Sequence, residues 1–313
     1  MSTESGPPSD DSPKLVPWFD LELQRRVPWR DDDIVISVPA KSGTTWMMNI
    51  VHQLRTGGDP DFEDLYVEVP WLELVEGPDE TPQHRLDRWA ALPATRPRAF
   101  KTHAAPPHLP YVEPGEGPSV RYLVVGRSPE EAVVALRPFF ERSTPAFNEL
   151  WQVPQALMKR DDYETFFTEI VEGMGFGATI FGCIAGWWPL RHRPNVLMLH
   201  FSELKADPEG AIRTVADFLG LHPTPEQWPA ILEHCSFGWM KAHDEKFQMR
   251  KATAAPMLEP GALVRKGRVG AAAEDGMTPA LAQRLRALGE QVHADPRALV
   301  WQYEGGPLPP ADD

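Results

Sequence analysis

Four short apolar runs, each ended by polar residues, punctuate the chain at residues 34–38, 98–103, 121–126 and 195–201. In the first, Ile34, Val35, Ile36 and Val38 are β-branched and apolar on both faces, the pattern of a strand buried in a parallel sheet. Pro39 ends that run, and Trp46, Met47, Ile50, Val51 and Leu54 then recur at helical spacing, with Gly57-Gly58 as a stop. Further helices are expected at 130–136 behind Pro129, at 180–188, at 208–219 with Ile212, Val215, Ala216 and Leu219 on one face, and at 279–292. Strands alternating with helices predict an α/β fold, a parallel β-sheet flanked by helices. Residues 15–30 carry Trp18, Phe19 and Trp29 and read as a flap on the domain. Residues 143–177 read as a mixed aromatic segment, a lid or cavity wall, and 237–270 as a long polar segment of little periodicity. Polar, Ser-, Pro- and Asp-rich termini predict disordered tails at 1–14 and 306–313 around one domain at 15–305.

Composition narrows this picture. The chain has 313 residues, 42% hydrophobic and 24% charged, enough to bury roughly 75% of the extended-chain surface in one core. Two cysteines, Cys183 and Cys235, make no disulfide framework, and no signal peptide or membrane-length apolar run is present, so a cytoplasmic setting is expected. The net charge of −14 argues against nucleic acid as a partner. It also means that any anion must be held by cations gathered locally.

Such a gathering is expected where the strands end, since open α/β sheets bind ligands beyond the carboxyl ends of their strands. Lys41 follows the first strand, Lys101 and His103 end the second, Arg127 follows the third and Phe201 closes the fourth. Lys41-Ser42-Gly43-Thr44-Thr45 joins a strand to a helix N-terminus through a turn with one Gly, a ready anion site in a P-loop-like nucleotide-binding core. The triphosphate loop places Lys directly after its second Gly; here Thr44 stands there and Lys41 precedes Gly43. The strand ends offer cations and no carboxylate, which reads as an anion site without a metal and counts against an ATP- or GTP-hydrolysing alternative.

PAKSGTTW at 39–46 resembles the 5′-phosphosulfate loop of the cytosolic-type sulfotransferase family. RAFKTH, RYLVVGRSPEEAVV, the 197–220 segment, SFGWMK and LVRKGRVG resemble other segments of that family in the same order, from about residue 31 to 270. SFGWMKAHDEKF is similar to bacterial members described as glycolipid sulfotransferases. The resemblance implies a donor, 3′-phosphoadenosine 5′-phosphosulfate (PAPS), with product 3′-phosphoadenosine 5′-phosphate (PAP), and a hydroxyl or amine acceptor. It implies His103 as general base, Lys41 at the leaving group and Lys101 assisting. Lys41, Ser42, Gly43, Thr44 and Thr45 would cradle the 5′ end. Arg127, Arg265, Lys266 and Gly267 would hold the 3′-phosphate, and Trp46, Phe201 and Phe237 would meet the adenine. Trp71 and Phe139 fall where the family lines its acceptor pocket, and Phe140, Trp151, Phe166 and Phe167 add aromatic area for a hydrophobic acceptor. The chain departs from the family at Ala135, where a Ser contacts the 3′-phosphate, and at Phe201, where a Tyr stands. The family's dimer motif is absent around residues 274–283. Those departures keep a non-catalytic nucleotide binder as an alternative.

Overall fold

Residues 16–310, apart from Met158, Lys266 and Arg268, are described by a computed structural model. The expected 1–14 tail and Lys266 lie outside the described residues. The four apolar runs form strands Ile34–Ser37 (β1), Ala99–Thr102 (β2), Arg121–Gly126 (β3) and Val196–His200 (β4). They make one parallel sheet in the order β2-β1-β3-β4, in register at Ser37↔Thr102, Ser37↔Val124 and Gly126↔His200. Alternate residues feed opposite faces: Ile34, Ile36, Leu123 and Val125 join one apolar core, while Val35, Phe100, Tyr122 and Val124 join the other. Both faces are thus covered, which is why the strand sequences read as continuous apolar runs.

The helix after β1, Thr44–Thr56 (α1), buries Met47, Met48, Ile50, Val51 and Leu54. It stops where the amides of Gly57 and Gly58, both left-handed, bond the Gln53 carbonyl. At the opposite end of the sheet, Arg98 clamps the starts of β1 and β2, its Nε 2.8 Å from Asp33 Oδ1 and its Nη2 2.5 Å from Oδ2. That pair is structural and remote from the loops that follow the strands.

Several elements differ from expectation. Phe201 does not close β4 but opens the helix Phe201–Ala206, after His200 caps the Ser202 amide. The helix behind Pro129 stops at Val134, and a second, Leu136–Glu141, follows. Pro138 accounts for the break, because its ring crowds the carbonyl four residues earlier and it has no N–H to donate. The 143–177 segment contains helices Pro145–Leu150 and Tyr163–Phe166 and a π-helical stretch Phe167–Gly173. A C-terminal helix, Pro296–Glu304, capped by Asp295, is an addition to the sequence reading. The 306–313 tail is not free along its described part. Leu308 packs on the core, and Arg191 holds the carbonyls of Pro309 and Pro310 at 3.1 and 2.7 Å. No single helix among the described residues is long and apolar enough to cross a membrane.

Candidate active site

The loops leaving the carboxyl ends of the strands enclose a cavity of about 620 Å³. Its floor is the turn after β1. Lys41 and Gly43 both adopt left-handed backbone, at φ 61° and 95°, on either side of Ser42. A side chain at Gly43 would put its Cβ 2.7 Å from the Phe201 ring, so glycine serves both the turn and the packing. Gly43 caps α1 with no side-chain bond, which leaves the first-turn amides of the helix facing the turn without intrahelical acceptors. Thr44 and Thr45 line the cavity, whereas Ser42 is fully buried and turned away from it. The Ser42 and Thr44 hydroxyls are buried without a hydrogen-bond partner among the described residues. Open amides and the unpaired Thr44 hydroxyl around one turn are the donor set of an anion cradle.

Lys41, Lys101 and His103 meet above this turn, all lining the cavity. Main-chain pairing of Lys101 with Pro70 and Leu72 (2.8 and 2.9 Å) brings Trp71 alongside β2. The Lys101 ammonium lies 2.9 Å from the Trp71 ring centroid, and the His103 ring meets the same indole edge-on at 5.1 Å. His103 Nδ1 is 2.6 Å from the Val38 carbonyl, and because a carbonyl accepts, Nδ1 carries the proton and Nε2 the lone pair. Burial holds the imidazole well below its ordinary pKa, and the charges of Lys101 and Lys41 add to this against the Val38 bond. Lys41, 5.0 Å over the Phe139 ring, is brought down to about 7 by burial and then by Arg265 and Arg127. Burial likewise pulls Lys101 well below the usual lysine range, opposed by Glu73 and reinforced by Lys41.

Toward the other end, Arg127 donates from Nη1 to the Lys41 carbonyl at 2.7 Å and from Nε to Glu131 at 3.0 Å, and it stacks 4.6 Å over Phe201. Glu131 also accepts from the Gly270 amide. Arg265 lies 3.8 Å from Asp275. The indole of Trp46 is fixed by a 2.8 Å bond from Nε1 to the Cys235 carbonyl and meets Phe201 edge-on. Phe237 rests on Gly267, where a Cβ would collide with its ring. Arg127, Glu131, Arg265, Trp46, Phe201 and Phe237, with Ala135, line the cavity. The expectation of a rim without carboxylates therefore fails. Glu131 and Asp275 line this end, and Glu73 stands behind His103, each attached to a cation or to main-chain amides. Sequence reasoning missed Glu131 although it sits one helical turn after Arg127, a spacing that could have found it.

The remaining wall is apolar. Phe139 lines it with Phe140, Phe147 and Phe176, joined by Met249, Met257 and Leu258 and by Val16 and Trp18 from the flap. Trp151, Phe166 and Phe167 do not line the cavity. Trp151 packs on Trp18 and Phe147, and the other two are fully buried in the core. The methionines come from the 237–270 segment, whose polar look hides an inward apolar side. The arrangement joins an anion cradle, a neutral imidazole with Nε2 available, two buried amines and an apolar chamber.

A model of the sulfotransferase domain family matches residues 31–295. Sulfotransferase 2A1 of Homo sapiens is 28% identical over 279 residues, covering 87% of this chain and 89% of its own. Sulfotransferase 1C2 of Rattus norvegicus is 26% identical over 269 residues, 83% of this chain and 81% of its own. Among solved structures, mouse sulfotransferase SULT7A1 complexed with PAP aligns with a TM-score of 0.66 at 18% identity, covering 90% of this chain and 92% of that one. Retinol dehydratase in a complex with retinol and PAP aligns at 0.65 and 21%, over 86% and 83%. At these identities the structural likeness speaks for the fold.

Proposed function

The chain belongs to the sulfotransferase family, and on that premise we propose that it moves a sulfuryl group from PAPS to a hydroxyl (or amine) of a hydrophobic small-molecule or glycolipid acceptor. One observation carries the reading: the anion cradle around Gly43 and the available Nε2 of His103 open into the same cavity, whose far wall is apolar.

The residues present suit such a donor. The unpaired Thr44 hydroxyl and the open α1 amides suit a 5′ phosphosulfate, and Arg127 and Arg265 suit a 3′-phosphate. Trp46, Phe201 and Phe237 offer ring faces and edges to a base. When bound, PAPS supplies an activated sulfuryl group with PAP as leaving group. His103 takes the acceptor proton at Nε2 as the acceptor oxygen bonds to sulfur. Lys41, at the positive end of α1, stabilises the charge that gathers on the oxygen left on the nucleotide. Lys101 supports charge at the reacting centre, and Trp71 and Phe139 enclose the acceptor. No metal is part of this proposal. The cytoplasmic setting belongs to the same reading; Cys183 and Cys235 are both buried free thiols.

The test is incubation with PAPS and a panel of phenols, aliphatic alcohols and glycolipids, with PAP release followed and ATP plus Mg²⁺ as control. PAP release that depends on a hydrophobic acceptor is expected. Absence of both PAP release and PAPS binding, or turnover of ATP instead, would sink the reading.

A further inference from the structure

Glu73, two residues after Trp71, is buried, with one carboxylate oxygen engaged three times and the other not at all. Oε1 accepts from the Thr102 hydroxyl at 2.5 Å and from the amides of His103 and Ala104 at 3.0 and 3.2 Å. Those donors are the turn by which β2 ends, so the direction in which His103 leaves the sheet is set by this side chain. Oε2 is buried without a hydrogen-bond partner. A bare buried carboxylate oxygen is costly unless a cation offsets it, and Lys101 feels the charge of Glu73 without a direct ion pair to it.

We propose that Glu73 is a positioning residue for the reacting centre: through Oε1 its carboxylate fixes the turn that presents His103, and its unpartnered Oε2 sets a buried negative charge beside that turn. The inference rests on His103 being the base. The charged and titratable groups coupled electrostatically to Lys101 are Glu73 from the turn after Trp71, Lys41 from the anion loop and His103 after its own strand, and the Tyr66 ring of the helix Leu65–Glu68 lies 5.9 Å from its ammonium. The charge of Glu73 is also felt by Cys183 of the helix Phe176–Trp187, and the Thr102 hydroxyl lies 3.5 Å from Gln24 Oε1 of the flap. Among these, Glu73 is the anion. Burial and Lys41 both push Lys101 toward the neutral amine and Glu73 pushes back, so removing that charge lets the amine form at lower pH.

Glu73→Gln separates the two parts, because a Gln carbonyl can accept the same three bonds without the charge. The alkaline limb of kcat, read with donor saturating so that its phosphates hold Lys41 charged, is expected to move to lower pH by about one unit, with PAP affinity and thermal stability near wild type. Carbon-13 NMR of the Lys101 side chain, read on protein without substrate, should titrate in the same direction. Glu73→Asp keeps the charge but draws the carboxylate back; its alkaline limb should stay in place while kcat falls about tenfold. A Gln variant whose limb and Lys101 titration both coincide with wild type would overturn the proposal. If the Gln protein fails to fold, an Asp variant with wild-type kcat overturns it instead. Transfer retained by His103→Ala would remove the base reading, and the Lys101 titration in Glu73→Gln would still decide the buried charge.

Discussion

Arg127 bonds the main chain of Lys41: its Nη1 reaches the lysine carbonyl at 2.7 Å, tying the segment after β3 to the turn after β1. The residue proposed to hold the far phosphate thereby also braces the loop that holds the near one. Two kinetic quantities should therefore respond to one substitution.

Arg127→Ala should weaken PAP binding about 10- to 100-fold, the loss of roughly 1.5–3 kcal/mol expected for a hydrogen bond to a charged group, and should lower kcat as well. Arg127→Lys restores charge but not the planar fork that spans Lys41, Glu131 and Phe201, so it should recover affinity more than kcat. Calorimetry with PAP and steady-state rates check both.

His103→Ala should lower kcat by about 10²–10⁴-fold, the usual worth of general base catalysis, while PAP affinity stays near wild type. Because its folded pKa is depressed, the imidazole keeps its base form as pH falls through the ordinary imidazole range near 6.5. The acid limb of kcat/KM belonging to this group should accordingly lie below that range.

Lys41 has a pKa of about 7 in the unliganded protein. An arriving phosphate favours the ammonium and raises that value, so PAP binding should take up protons. Uptake should approach one proton near pH 8, where the amine is mostly neutral, and shrink near pH 6, where it is already charged. Calorimetry in buffers of different ionisation heat measures this directly, and Lys41→Met should abolish the lysine's share.

Gly43→Ala combines a left-handed φ with a Cβ 2.7 Å from the Phe201 ring. It should cost about 1–3 kcal/mol of stability and weaken PAP binding. Adding Phe201→Ala should relieve the collision but not the backbone strain. Urea denaturation of the single and double variants separates the two.

Met257 and Phe139 line the acceptor side of the cavity. Met257→Trp should raise KM for bulky acceptors at least tenfold, spare small phenols and leave PAP affinity unchanged.

The sheet was legible because both its faces are buried: Ile34–Ser37 and Arg121–Gly126 carry no polar alternation to confuse the reading. Helix Pro208–Leu219 was legible to the residue, since Pro208 opens it and Gly220 ends it left-handed. Phe201 was misplaced because an apolar residue after a strand looks like its continuation, and the cap that turns the chain comes from His200. In the site, cations following strands were readable because strand ends converge by topology. Glu73 and Glu131 were not, since their meaning depends on amides of residues 103, 104 and 270 that lie far along the chain. Met249 and Met257 were hidden for a related reason: an irregular segment has no period to show which side faces inward.

The wall of the apolar chamber is assembled from the flap, the 136–148 helices and the 249–264 segment, stretches that share no strand with the anion cradle. The cradle, by contrast, is largely main chain, shaped by two left-handed positions and the start of α1. Away from Phe139, whose ring lies under Lys41, substitutions can thus accumulate along the wall without passing through the cradle. A lineage built this way can exchange one acceptor for another while inheriting its grip on the donor intact, and a laboratory that shuffles residues 136–148 and 249–264 samples that same freedom.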